Sequence, residues 1–351
     1  MSRRPLAAAL AVLALAACAT TSPPPSTPRP NPAPAETGAA SASVTRLRQL
    51  PGWEAEDHLA ALGVVRQVCR EAPAAARWPV CVGAMSVAAP DDAAAERFLE
   101  AHFRPEPVPG VGLLTGYFAP TYPARAARDG EFSAPVRPPP PAAAGAPDRA
   151  TLDAQPAPDA LAWMRPEDLF FLQIQGSGVL AFPDGRRLAA AFAGSNGRPY
   201  VAIAGPMVAE GLIAARAANA AGVHDWLAAH RGREAEAVMR VNPRYVFFRL
   251  LPDDGAEPRG SAGVALAPGR SLAVDPAYHP YFELLWIDAD EPTLAGARPS
   301  YRRLAAALDR GSAIKGEARA DLYLGRGDAA GAEAGTVRHS LRLYRIVPIA
   351  P

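Results

Sequence analysis

DRGSAIKGEARADLYLGRG, residues Asp309 to Gly327, sets two aspartates on either side of a small-residue loop (Gly311, Ser312, Ala313) and an Ile314-Lys315-Gly316 turn. Asp321 then opens a short apolar run, Leu322 to Leu324, which Gly325 closes. Short apolar runs bounded by glycine are strand signals. A carboxylate at the mouth of such a strand can face a cleft from a rigidly held backbone, which suits a general acid. Asp beside Gly is also ordinary turn chemistry, so the stretch needs support from the rest of the chain.

Outward from it, the texture after Pro109-Gly110 is of short apolar runs cut by Gly and Pro, the pattern of barrel-like β structure. VGLLTGYFAP reads as a strand whose interior Gly116 marks a bend or the close approach of a ligand. DLFFLQIQGSGVLAF (168–182) reads as two strands around a Gln175-Gly176-Ser177-Gly178 turn, either a plain hairpin or a loop offering amide donors to an uncharged polar ligand such as sugar. YVFFRLL from Tyr245 and FELLWIDA are strands, and GVALAPGRSLAVDP gives two strands turned at Pro268-Gly269. Residues 206–219 and 224–240 read as helices. So do 53–71, with Leu59, Leu62, Val65 and Cys69 at helical spacing, and 91–103, with Phe98 and Leu99 inward.

The 351 residues suffice for two domains, and 49% apolar with 20% charged is a globular composition. A formal net charge of +1 gives no field for nucleic acid or an anionic membrane surface. The N-terminus, MSRRPLAAALAVLALAACATT, has two arginines and an apolar run too short to span a bilayer, which reads as an export signal. Its end, Leu15-Ala16-Ala17-Cys18, is similar to a bacterial lipobox, in which the cysteine becomes the lipidated first residue; Ala19, in place of an aspartate, favours the outer membrane. A Pro-, Ala-, Ser- and Thr-rich tether follows to about Ser43. Cys69 and Cys81 either pair, as an oxidising periplasm allows, or remain two buried thiols. The six histidines are scattered, none at ligand spacing, so no metal site and no cofactor are expected.

LLTGYFAP (113–120), DLFFLQIQGSG (168–178), VNPRYVFFR (241–249), RSLAVDP (270–276) and AIKGEARADL (313–322) together resemble the membrane-bound lytic murein transglycosylase A family, in the family's order, from about Leu50 to the C-terminus. The resemblance implies a mainly β fold with flanking helices. A six-stranded double-psi β-barrel, the three-aspartate domain, would be built from residues 45–121 and 244–351. A second β-barrel domain would be inserted at 122–243 with a groove between the two, preceded by a signal peptide (1–18) and a tether (19–44). RRLAAALD before Asp309 has helix-forming composition, but on this fold it is expected to be a strand.

The family's named aspartates fall on Asp275, Asp309 and Asp321, and its catalytic aspartate on Asp321. The implied activity is that of a peptidoglycan lytic exotransglycosylase, a glycan-cleaving lyase that leaves 1,6-anhydromuramoyl ends. Ordinary glycosidases need two carboxylates. Where the sugar's own 6-hydroxyl is the nucleophile, one carboxyl serves first as acid and then as base. The acid form requires a raised pKa, from burial or a neighbouring carboxylate. Asp309 is either that neighbour or a turn cap. Lys315 would oppose the shift if it touched Asp321, so it is expected on substrate or backbone. Tyr117, Gln175, Gly176, Ser177 and Tyr245 are candidate groove residues. The implied partners are peptidoglycan strands, the outer membrane through a lipid on Cys18, and cell-wall synthesis or hydrolysis proteins. The chain departs from the family at Arg310 and Ser312 and at His279-Pro280-Tyr281-Phe282. Two rival classes stand beside this: a non-catalytic peptidoglycan-binding lipoprotein, and a hydrolase of another glycan.

Overall fold

The computed structural model describes residues 44–74 and 78–349. The export signal, Cys18 and nearly all of the tether lie outside these residues. The described chain begins with 3-10 turns at Leu47–Gln49 and Trp53–Ala55 and helices α1 (His58–Glu71), α2 (Cys81–Ser86) and α3 (Asp92–His102). Strands β1 (Phe103–Pro107), β2 (Gly112–Ala119), β3 (Thr121–Pro123) and β4 (Ala134–Val136) follow, then α4 (Arg149–Ala154), β5 (Ala162–Met164), α5 (Pro166–Gln175), β6 (Gly178–Ala181) and β7 (Arg187–Ser195). After α6 (Ala204–Ala209), α7 (Ala220–Ala229) and α8 (Arg233–Arg240) come β8 (Val246–Pro252), β9 (Ser271–Val274), β10 (Leu284–Pro292), β11 (Tyr301–Arg310), β12 (Arg319–Arg326), α9 (Gly327–Ala334) and β13 (Arg338–Pro348).

Strands β13, β10, β11, β9, β12 and β2 pair in that order, and β2 pairs back onto β13, so six strands close into a barrel and leave no free edge. β1 adds to β13 outside the ring. The pairs β9–β11 and β2–β12 are parallel, while β9–β12 is antiparallel. This is the six-stranded barrel that the resemblance implied.

The alanine-rich β11 is a strand, against its helix propensity, because it separates two cores. Tyr301, Ala305 and Ala307 point into the barrel with Leu285, Ile287 and Leu322. Leu304, Ala306 and Leu308 point outward under the helical layer with Trp53, Leu62, Phe98 and Trp286. A strand buried on both faces and squeezed between two layers selects small side chains. Packing here overrides propensity.

Asp57 caps α1 by accepting the Ala60 N–H at 2.8 Å. The helix buries Ala61, Leu62, Val65, Val68 and Cys69, whereas Leu59, expected inward, is exposed. Cys69 of α1 and Cys81 of α2 form a disulfide with Cα atoms 5.4 Å apart.

The insert carries a four-stranded sheet, β3-β6-β7-β8, and a two-stranded ribbon, β4-β5. β8 pairs with β7, so this sheet runs past residue 243. Residues 166–175 are a helix, not the first of two strands. Pro166 opens it, Glu167 and Asp168 occupy its first turn, and Gly176 at φ 83° ends it. These are helix start and stop signals, outweighed in the sequence reading by the apolar run LFFL. Only Ser271–Val274 of the GVALAPGRSLAVDP pair is a strand; Ala265 makes a single bridge to Arg259. Gly211 and Gly232 each interrupt one of the two helical segments expected here.

Gly116 is explained by packing: a Cβ there would come within 3.0 Å of Leu324 and Val337 and 3.1 Å of the Ala334 backbone, so α9 can lie against β2 only over a glycine.

Candidate active site

Alternation along β12 turns Ala320 and Leu322 into the barrel core and Arg319, Asp321 and Tyr323 to the opposite face. In the parallel pairing with β2, Asp321 stands level with Thr115 and Tyr323 with Tyr117. The Thr115 hydroxyl donates to Asp321 Oδ1 at 2.5 Å and accepts from Arg319 Nη2 at 2.9 Å. Arg319 thus directs the hydroxyl proton toward the carboxyl, and Oδ2 accepts no hydrogen bond from the described residues. Burial pushes the Asp321 pKa up, with a smaller push from the charge of Asp309, against the Thr115 hydrogen bond and the Arg319 charge, which pull it down.

Asp309, at the end of β11, is a loop anchor. Its Oδ1 accepts from the Ser261 N–H (2.9 Å), the Ser261 hydroxyl (2.7 Å) and the Arg310 N–H (2.8 Å), and its Oδ2 from the Tyr117 hydroxyl (3.0 Å). Burial, followed by the Asp309 charge, holds the Tyr117 phenol far above its ordinary range, so it stays a donor. The ring of Tyr117 lies 5.2 Å from that of Tyr323.

Asp275 anchors the other end of the loop between β11 and β12. It accepts from the Gly316 N–H at 3.0 Å, and Lys315 Nζ lies 3.6 Å from its Oδ1. The Gly316 hydrogen bond leads the causes that lower the Asp275 pKa. Lys315 therefore pairs with Asp275 and not with Asp321, leaving the upward shift of Asp321 intact. The buried His279 bridges the same loops, with Nε2 2.7 Å from the Glu317 carbonyl oxygen and Nδ1 2.6 Å from Glu283. Phe282 takes φ 72°, a conformation that a bulky residue adopts at a cost. Its buried ring and its N–H on the Ala307 carbonyl at 2.8 Å hold it there.

The insert supplies the facing wall. Arg149 of α4 is buried and donates to the carbonyls of Asn242 and Arg244 and to Gln173 Oε1. Gln173 in turn donates to the Val246 carbonyl. At the end of α5, Gln175 accepts the Phe118 N–H at 3.4 Å, tying the insert to β2. Between the walls lies a cleft of about 310 Å³, bordered by Tyr117, Asp309, Arg310, Arg319 and Asp321 on the barrel side and by Gln175, Gly176, Phe192 and Arg244 on the insert side.

The fold therefore brings Asp321, Asp309, Tyr117, Gln175 and Gly176 together. Ser177 lies in an adjoining cleft of about 540 Å³, which shares Phe192 with the first. Tyr245 is buried, its hydroxyl on the Pro135 carbonyl, and does not reach the groove; its neighbour Arg244 does. Thr115, Arg319 and Arg244 sit inside the sequence stretches already singled out, but only pairing register shows which side chains converge. Arg149 falls in the Pro-rich segment, where nothing in the sequence marks it.

Residues 113–249 match the family described as the MltA specific insert domain, and residues 270–347 match the 3D domain. The chain is 34% identical over 251 residues to the membrane-bound lytic murein transglycosylase A of Vibrio cholerae, a match covering 68% of this chain and 66%, just under two thirds, of that relative. Among solved structures, a membrane-bound lytic murein transglycosylase from Agrobacterium tumefaciens superposes with a TM-score of 0.75 at 27% identity, covering 86% of this chain and 96% of that one. The lytic transglycosylase LtgG of Burkholderia pseudomallei is 32% identical with a TM-score of 0.61, covering 88% of this chain and 97% of that one.

Proposed function

The chain belongs to the membrane-bound lytic murein transglycosylase A family, and from that premise we propose that it cleaves the β-1,4 bond between N-acetylmuramic acid and N-acetylglucosamine in peptidoglycan without water, leaving 1,6-anhydromuramoyl ends. Protonated Asp321 gives its proton to the departing glycosidic oxygen. The muramic 6-hydroxyl attacks its own C1, and the Asp321 carboxylate takes the hydroxyl proton. The aspartic acid is thereby regenerated in each turnover, with no second carboxyl needed.

The observation that carries this assignment is the asymmetry of the two carboxyls in the cleft. Asp321 is half-buried, has a pKa raised by desolvation, and keeps one oxygen without a hydrogen-bond partner among the described residues. Asp309 is occupied by four donors, two from Ser261, one from the Arg310 main chain and one from Tyr117. A retaining or inverting hydrolase would need a second available carboxylate. Digestion of purified sacculi is the test: anhydro ends by mass spectrometry are expected, and products with only hydrolysed reducing ends would sink the assignment.

Asp309 is a positioning residue in this scheme. Asp309→Asn keeps an oxygen for its three Oδ1 donors, and its amide nitrogen can donate to the Tyr117 hydroxyl, so the loop should hold. The variant loses the charge that helps to raise Asp321. The alkaline limb of the pH–rate profile, where the acid form is lost, should therefore move to lower pH, by less than burial alone sustains. A limb that moved upward would contradict this.

We further propose a lipid anchor at Cys18 on the periplasmic face of the outer membrane, supported by the Leu15-Ala16-Ala17-Cys18 motif and Ala19. Among the described residues no helix is long and apolar enough to cross a membrane. Cys18→Ala should release the protein from the outer-membrane fraction. Unchanged fractionation, with no acyl chain on the wild type, would count against the anchor.

A further inference from the structure

Four arginines (Arg149, Arg244, Arg310, Arg319) and two aspartates (Asp309, Asp321) border the cleft. That is a surplus of two cations in a chain whose formal net charge is only +1. Two of the arginines are fully employed. Arg149 holds the insert wall together through Asn242, Gln173 and Arg244. Arg319 donates to the Leu113 and Ala320 carbonyls and to Thr115. The other two are not. The Arg244 guanidinium makes one contact, with the Arg198 carbonyl at 3.3 Å, and the exposed Arg310 guanidinium has no partner among the described residues.

The two face the same cleft from opposite walls, Arg310 on the barrel loop and Arg244 just before β8. Burial, and then the charge of Arg310, lower the Arg244 pKa, so the pair sits in each other's field. Like charges that face one another across a cleft, neither with a salt-bridge partner among the described residues, are unfavourable in the empty protein. An anion between them would relieve this. Guanidinium groups pair with carboxylates through two parallel hydrogen bonds, and the main-chain N–H of Arg310 is already fixed on Asp309 at 2.8 Å, which limits how far the residue can swing.

We propose that Arg310 and Arg244 form a carboxylate-binding subsite that selects glycans bearing acidic substituents over neutral ones. This rests on the glycan-cleaving function proposed above and adds its specificity. Peptidoglycan offers a carboxylate from two sources: the stem peptide, or the lactyl group of a muramic residue from which the peptide has been removed.

Binding is measured in an Asp321→Asn background, to prevent turnover, with three ligands of equal sugar number: peptide-bearing glycan, peptide-stripped glycan with free lactyl carboxylates, and neutral chitooligosaccharide. At least one acidic glycan should bind about tenfold more tightly than the neutral one at low salt, and the advantage should shrink as salt rises. Which acidic ligand shows it identifies the source. Arg310→Gln should remove most of that ratio and Arg310→Lys should retain part of it. Because Arg310 is exposed, the single variant should keep the fold even if Arg244→Gln does not. Equal affinity for all three ligands, or a variant that weakens acidic and neutral ligands alike, would overturn the subsite. Absence of anhydro ends from the wild type would instead overturn the cleavage function, while the binding ratio still tests the arginines.

Discussion

Asp321→Asn is expected to stop anhydromuropeptide release while sacculus binding persists. General acid–base groups contribute about 10²–10⁴-fold; one residue performing both proton transfers should lie at the upper end of that range or beyond. The same substitution should stabilise the fold at neutral pH. Burial raises the Asp321 pKa above its ordinary value of 3.8. Between that value and the folded-state value the native protein holds a proton that the unfolded chain has released, so stability falls as pH rises through the window. Above it, the native state carries a partly desolvated charge. The substituted amide carries none, so the variant should unfold at higher urea than the wild type near pH 7, and the difference should vanish at acid pH below 3.8. A variant that still forms anhydro ends within a few-fold of wild type would end the single-aspartate mechanism. A variant no more stable at neutral pH would mean that burial does not strain this carboxyl.

The strands are legible locally, whereas the closed six-stranded barrel is implied by the family resemblance. ARADL carries an alternating pattern that fixes which of its side chains face the core, while LLTGYFAP reads as a strand only through its short apolar runs around Gly116. The site is legible only in part. Asp321 and Tyr117 stand inside those two stretches, and Asp309 stands at the end of β11. Thr115 and Arg319 are defined as partners of Asp321 by a parallel register between segments about 200 positions apart, which no local pattern encodes. The helix 166–175 escapes a sequence reading because the hydrophobic run LFFL fits a buried strand or a buried helix equally well, and the deciding marks are Pro166 and Gly176 at its ends. For Lys315, elimination gives half an answer: charge logic excludes Asp321, but only the return of the chain through Asp275 supplies its partner.

Removing the Cys69–Cys81 disulfide, as the double alanine variant, should cost about 3 kcal/mol of stability, roughly a hundredfold in the folding equilibrium. That figure follows from closing a loop of about a dozen residues in the chain-entropy model, the separation being 12. The bridge joins α1 to α2 at the edge of the core that Trp53, Leu62 and Phe98 form against the outer face of the barrel, and both sulfurs belong to that core. Without the covalent link, α2 has only six residues and few buried side chains, Cys81 and Ala84, to hold it. An isolated helix of that length does not persist in water, so unfolding should begin there. Hydrogen exchange in α2 should then accelerate before the barrel strands respond, and the urea midpoint should fall. Because Cys69 also packs in the main core, some of the loss would be cavity and not chain entropy. Reduction of the unmodified protein separates the two, since it breaks the link and leaves both sulfurs in place. If reduction leaves the urea midpoint and the α2 exchange rates unchanged, the packing of α1 and α3 holds this layer to the barrel by itself.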